Sequence, residues 1–420
     1  MRRKRFRGAV QNAALVLLTA SALFLLTQLP LLQNIRLSPR AIFAPNSSTE
    51  VPEESPTPAA MFPPVNLMVT RDSEHGRCGQ LCLSAGADGL QSILPLFQEA
   101  IGSATQVGRA EDSNFRAALK HPGFYLELLS DPLPLEAVAA WLGAEADYAQ
   151  LVQAMALVAG YDGGAALFLL DGEGEATLYS TALPVSAVRS ICEEFLSNDS
   201  YFAFETGYNT LSPYAVLTAD AGSLPDLQGE RPVGYSAYNL LTALDFNAHT
   251  ISRYRESGGA EVVEESPRTL RIGPEGAVTL ISRGAVNSNI YHASGQELPD
   301  ILAAAWRLAT ALTDGTGASP VFLQKVEELE DGWVLHFRYQ WNGVPVYLSD
   351  GSDALAVTFQ NGAVTGFTYR CRTYTPLEEE PLALLPAKVA QAVAAAYPDA
   401  ALSIGYVDDG SERISAQWRR

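Results

Sequence analysis

Leu270 to Ser282 reads LRIGPEGAVTLIS, and Leu355 to Thr368 reads LAVTFQNGAVTGFT. Both carry Gly-Ala-Val-Thr, at 276 to 279 and at 362 to 365, an offset of 86 residues. In each copy an alternating apolar run, a glycine-containing turn and a second run predict a β-hairpin, because successive strand side chains point to opposite faces. Leu298-Pro299 then opens a predicted helix to about Leu312, and Leu385-Pro386 opens another to about Tyr397, since proline's fixed φ suits a first helical turn. Two further strands are expected after each helix: Val321 to Glu328 with Trp333 to Trp341, and Leu402 to Val407 with Arg413 to Trp418. The pattern predicts two copies of a ββαββ unit with antiparallel sheets.

Upstream of the repeat, strand-like and helix-like runs alternate. Val65 to Val69 reads as a strand, and Asp88 to Ala104 as one helix capped by Asp88, with Leu90, Ile93, Leu94, Leu96, Phe97 and Ile101 at helical spacing. A strand is expected over Gly123 to Leu129 and a helix from Pro132 to Leu142. Ala165 to Leu170 and Ala176 to Ser180 form a predicted hairpin through Asp171-Gly172-Glu173-Gly174, and Pro184 to Leu196 closes with a helix. The fold class expected for the outer body is α+β.

Between Gly8 and Ile35 there is no charged residue, and Ala13 to Leu32 reads AALVLLTASALFLLTQLPLL. About twenty such residues span a hydrocarbon core as a helix. Arg2, Arg3, Lys4, Arg5 and Arg7 precede it and place its N-terminal side in the cytoplasm, so the body beyond is expected outside a cell membrane crossed once. Cleavage at the small-residue site Ala20-Ser21-Ala22 would leave the apolar run Leu23 to Leu26 at a mature N-terminus in water, which favours an uncleaved anchor. The small residues Ala13, Ala14, Ala20, Ser21 and Ala22 would let a neighbouring helix approach closely, and they are the candidate partner-binding face. The expected organisation is a basic tail (1–12), a transmembrane helix (13–32), a Pro/Ser-rich stalk (33–65), an α+β outer domain (66–215), a middle repeat domain (216–318) and a C-terminal repeat domain (319–420).

Beyond Arg36, 22 basic residues face 47 acidic ones, a formal balance of −25. Such a body repels nucleic acid, so no nucleic-acid role is expected. Cys78, Cys82, Cys192 and Cys371 are spaced too unevenly for a disulfide framework. His75, Cys78 and Cys82 make an H-x2-C-x3-C cluster, but no second pair lies nearby to complete a zinc site and the following segment reads as a loop; a Cys78–Cys82 loop bridge or two free thiols fits better.

Catalytic patterns are weak. The string Gly234-Tyr235-Ser236-Ala237-Tyr238 lacks the second glycine of a nucleophile elbow. Gly172 and Gly174 sit in a hairpin rather than before a helix, where a phosphate cradle would need them. His121, His249, His292 and His336 have no partner at fixed spacing, and Asp408-Asp409-Gly410-Ser411-Glu412 reads as a turn rather than a calcium loop. The expected catalytic, cofactor and metal residues are therefore none.

The run FYLELLSDPLPLEAVAAWLG (124–143), the run NLLTALDFNAHTISRYRESGGAEVVEESPRTLRIGPEGAVTLISRG (239–284) and the ending Ile414-Ser415-Ala416-Gln417-Trp418 are similar to the YycH family. The repeated units also resemble the closing domains of YycH and its partner YycI. The resemblance covers nearly the whole chain in order, but it rests on diffuse apolar and turn patterns, so no functional residue carries over individually. It implies a non-catalytic regulator, in the membrane of a Gram-positive bacterium, of a WalK-type sensor histidine kinase that governs cell-wall metabolism. The implied partners are that kinase and a YycI-like protein, met through the transmembrane helix and the outer domains. The Pro-rich stalk and Ala-rich helices depart from the commoner pattern. Two other functions fit the residues: an outer module binding a peptide or wall fragment on an open sheet edge, and a hydrolase with facing carboxylates.

Overall fold

The computed structural model describes residues 62–71, 76–146, 149–206, 212–218, 223–232, 236–284, 286, 288–378, 382–384 and 403–419. They fall within one compact unit, Ser55–Arg420. The basic tail, the expected span Ala13 to Leu32, the stalk before Phe62 and the expected helix from Pro386 to Tyr397 lie outside the described residues. Among the described residues no helix is long and apolar enough to cross a membrane.

The first part runs β1 (Val65–Thr70), β2 (Arg77–Leu83), α1 (Asp88–Gln91), α2 (Leu94–Gly102), β3 (Thr105–Ala110), α3 (Asp112–Ala118), β4 (Gly123–Leu128), β5 (Leu133–Pro134), α4 (Leu135–Leu142), β6 (Leu151–Val152), β7 (Ala154–Tyr161), β8 (Gly164–Leu170), β9 (Ala176–Ser180), α5 (Val185–Cys192), β10 (Tyr201–Phe202) and β11 (Val216–Leu217). Seven strands form one antiparallel sheet in the order β2-β1-β4-β7-β8-β9-β3. Its central strands are apolar at nearly every position because both faces are covered. Met155 and Leu157 of β7 join Phe97, Trp141 and Val188 on one face. Ala156 and Val158, between and beyond them, join Phe115, Phe168 and Phe202 on the other. Burying each large side chain contributes about 2 kcal/mol.

Three local expectations change here. The helix expected over Asp88 to Ala104 is two helices, because Pro95 has no N–H to donate to Gln91; Ala87 rather than Asp88 occupies the first cap position. The Cys78–Cys82 segment, expected to close a bridged loop, is the edge strand β2, with a bulge at which Cys82 takes φ 55. Four residues along a strand separate the two thiols by roughly 13 Å, too far for a bridge. All four cysteines are free.

The second part runs β12 (Ser223–Leu224), β13 (Leu227–Glu230), α6 (Ala237–Ala243), β14 (Ser252–Arg255), β15 (Glu261–Glu265), β16 (Arg268–Ile272), β17 (Ala277–Ser282), α7 (Leu298–Thr316), β18 (Val321–Leu329), β19 (Gly332–Trp341), β20 (Val344–Leu348), β21 (Leu355–Gln360), β22 (Ala363–Arg370), β23 (Thr373–Pro376), β24 (Leu382–Ala383), β25 (Ser403–Asp408) and β26 (Ala416–Arg419). In place of one sheet for each repeat there is a single eleven-stranded sheet, β14-β15-β16-β17-β22-β21-β19-β20-β25-β26, with β18 beside β19. The two expected hairpins, β16–β17 and β21–β22, are joined by antiparallel pairing of β17 with β22. The strands after the first helix, β18 and β19, extend the second hairpin, since β19 pairs with β21. One contact, β20 with β25, is parallel. Further pairings tie 223–230 to the C-terminal strands: β12 with β24, β13 with β23, and Leu227 with Ile414.

Helix α7 buries Leu298, Ile301, Leu302, Ala305, Leu308, Ala309 and Leu312, an apolar stripe at 3.6-residue spacing, in the same core as Leu280, Leu335, Phe337 and Phe367 of the sheet. It ends at Gly317, whose φ of 70 suits the left-handed cap. Asn342 and Gly343, with φ 46 and 84, make the tight turn from β19 to β20. A side chain on Gly343 would overlap Cys82 O, so glycine lets this turn seat against β2 of the first sheet.

Candidate functional site

Where the two sheets meet, Asp131 N–H donates to Gln324 O (2.9 Å) and Gln324 Nε2 donates to Asp131 Oδ1 (2.7 Å). Gln324 is the bulged residue of β18, opposite the shift in its pairing with β19. Beyond this tie a groove of about 350 Å³ opens, lined by Leu135, Leu151, Leu298, Val326 and Trp333, with Glu136 and Glu328 also on its walls. Leu151 is 53% exposed. The groove therefore brings together the starts of α4 and α7, strand β6 and the outer edge of β18.

The backbone of that edge follows from register. Leu329 and Gly332 flank a two-residue turn and are a hydrogen-bonded pair, as are Glu327–Val334 and Lys325–His336 by alternation. Val326 and Glu328 are the intervening positions, so their N–H and C=O groups point away from β19. Among the described residues no backbone hydrogen bond outside the sheet is recorded for either.

The charged cluster around Asp408 is mutually satisfied. Asp408, 4% exposed, accepts from Arg372 Nε and Nη2 (both 2.8 Å), from Tyr374 Oη (2.9 Å) and from the Gly410 N–H (2.9 Å). Burial opposes the charge of Arg372, yet its hydrogen bonds to Asp408 hold its pKa above the ordinary value. Burial, then Asp408, push the Tyr374 hydroxyl up. The adjoining cleft of about 640 Å³ is lined by Arg231, Arg370 and Arg372 and also by Glu275, Asp350 and Asp409, so its charge is mixed. Asp409 Oδ1 accepts the Ser411 N–H (2.9 Å), which closes a turn.

His336 is the histidine closest to a catalytic arrangement. Its Nδ1 lies 2.7 Å from Asp353 Oδ2, while Nε2 faces Glu327 Oε2 at 3.6 Å rather than a hydroxyl or thiol. The Asp353 hydrogen bond raises its pKa against the opposing effect of burial. His292 Nε2 is within 2.6 Å of Val286 O, and its own carbonyl accepts from Arg307 (2.8 Å). His75 lies outside the described residues.

No family model matches the chain, and no curated protein does. Among solved structures, the crystal structure of YycH from Bacillus subtilis matches with a TM-score of 0.52 at 11% identity, over 86% of this chain and 93% of that one. The chain has the YycH fold. The residues singled out for partner contact (Ala13, Ala14, Ala20, Ser21, Ala22) and for topology (Arg2, Arg3, Lys4, Arg5, Arg7) lie outside the residues over which that fold is described. Within the YycH fold, the groove residues went unnoticed in sequence because they come from four distant segments. The local signal was the mixed character of β18, where Val326 stands among Lys325, Glu327 and Glu328 on an edge.

Proposed function

We propose that the chain is a membrane-anchored extracytoplasmic regulator of a two-component sensor histidine kinase that controls cell-wall metabolism, acting by association rather than catalysis. The observation that carries this reading is the YycH-like fold along 86% of the chain. The uncharged run from Ala13 to Leu32 behind five basic residues supports a single-pass anchor with the body outside. The mutually satisfied charges around Asp408, and a His336 that faces Glu327, support a body that binds rather than reacts.

The kinase and a YycI-like protein would be met through the transmembrane face and the outer domains. The test is a membrane pull-down of the full chain with quantified kinase autophosphorylation. Co-purification of a sensor kinase whose autophosphorylation changes on removal of the chain supports the reading; neither partner nor effect overturns it. Replacing Ala20, Ser21 and Ala22 by Leu is expected to weaken that association, and unchanged association removes the helix face from the account.

A further inference from the structure

The groove beside β18 combines two features that arise independently. One is an apolar wall, Leu135, Leu151, Leu298, Val326 and Trp333, with Leu151 half open to solvent. The other is a strand edge whose backbone groups at Val326 and Glu328 are unpaired among the described residues. A row of backbone N–H and C=O groups left free along a strand edge is a template for pairing, and an extended segment supplies the partners.

Charged side chains often guard such edges against association. On β18 that duty falls to Lys325 and Glu327, which pair with each other and sit at the positions bonded to β19. The alternate positions, Val326 and Glu328, line the groove. Among the described residues both charged side chains on its walls, Glu136 and Glu328, are acidic and exposed.

We propose that this groove docks an extended segment of a partner protein as an added strand on the outer edge of β18, with an apolar side chain beside Val326 and a lysine or arginine two positions away against Glu328. The spacing follows from strand geometry: alternate residues share a face, so the side chains opposite Val326 and Glu328 are separated by one outward-facing residue. Leu151 shares the apolar wall with Val326, Trp333 lies opposite Glu328 in the ladder and offers its ring beside the stem of the basic residue, and Glu136 adds to the field that favours its charge. This inference is independent of the regulatory reading, since the groove selects a segment by chemistry whatever the chain controls.

The test uses the purified full-length chain in detergent and a blocked heptapeptide, acetyl-Thr-Thr-Val-Thr-Lys-Thr-Thr-amide, with a second peptide carrying Glu in place of Lys. Calorimetric titration should show saturable binding of the Lys peptide with Kd below about 1 mM. Glu328→Lys should weaken it about tenfold or more and should prefer the Glu peptide, a swap that a misfolded variant cannot produce. Val326→Pro, which removes an outward N–H and spares the Lys325 and Glu327 bonds to β19, should also abolish binding while the far-ultraviolet dichroism is retained.

No saturable binding by the unaltered chain, or equal binding by Glu328→Lys, overturns the proposal. Binding that survives Val326→Pro overturns strand addition. Self-association that Glu328→Lys disrupts, without peptide binding, assigns the groove to a second copy of the chain and overturns it likewise.

Discussion

Leu280 on β17 lies opposite Phe367 on β22, and both are buried. Moving each partner by the 86-residue offset of the repeat turns this pair into Gly366 opposite Ile281, the neighbouring pair in the same ladder. The two repeats thus join about a local twofold axis, and the shared Gly-Ala-Val-Thr strands form the seam. Phe367→Ala is expected to cost about 3–5 kcal/mol and Leu280→Ala about 2–5 kcal/mol, the transfer and cavity terms of a core site. The double variant should fall short of their sum by at least about 0.5 kcal/mol, because the two share one contact. Ile281→Ala, 57% exposed, should change stability by under about 0.5 kcal/mol. Urea unfolding followed by tryptophan fluorescence measures all four.

The grip of Arg372 on Asp408 gives a second expectation. Removing Arg372 leaves a carboxylate in the interior with only Tyr374 and the Gly410 amide, so Arg372→Ala should destabilise by about 3 kcal/mol. Arg372→Lys should recover only part, since an ammonium cannot present two parallel N–H groups. Arg370→Ala breaks the exposed pair with Asp350 and should cost under about 1 kcal/mol. Equal losses from the Arg372 and Arg370 variants would show that burial of Asp408 is not what makes the pair matter.

The cysteines allow a chemical check. Burial pushes the Cys82 and Cys192 thiols up to about 12, with Glu127 adding to the effect at Cys82. Little thiolate then exists at pH 8, so alkylation of the native chain should be slow at both. Unfolded without reductant, the chain should release four reactive thiols. A count of two would restore a bridge.

Both repeat hairpins, the helix now labelled α7 and the β8–β9 turn could be read from the sequence because each is a local pattern. Asp171 illustrates this: its Oδ1 accepts the N–H groups of Glu173 and Glu175 (2.9 Å each) within the turn whose residues announced it. The pairing of β17 with β22 and of β19 with β21 was hidden, since it depends on which distant edges meet. Strand β3, reading TQVGRA, shows no apolar alternation because most of it is exposed at the sheet's edge. Strand β2 misled through its bulge and glycine. The groove was illegible for the same reason as the seam: Leu151, Leu298 and Val326 acquire meaning only when two sheets are set side by side.

His336 makes stability depend on pH with a definite sign. Asp353 and Glu327 attract its charged form, while burial and Lys325 oppose it, and the net effect raises the folded pKa above the unfolded value of about 6.5. A raised pKa means that the folded chain holds the proton more tightly than the unfolded chain does. The stabilisation is therefore fully present below the unfolded pKa and is lost as pH rises through the folded pKa. Asp353→Asn removes the largest contribution and should narrow the stability gap between pH 5.5 and pH 9 relative to the unaltered chain. Glu327 stays charged across that range because the hydrogen bond from Lys325 lowers its pKa, so it does not titrate in the same window. His336→Gln should abolish the same component of the pH dependence. If the unaltered chain and both variants instead trace parallel stability curves from pH 5.5 to 9, the Asp353–His336 contact carries no charge in solution.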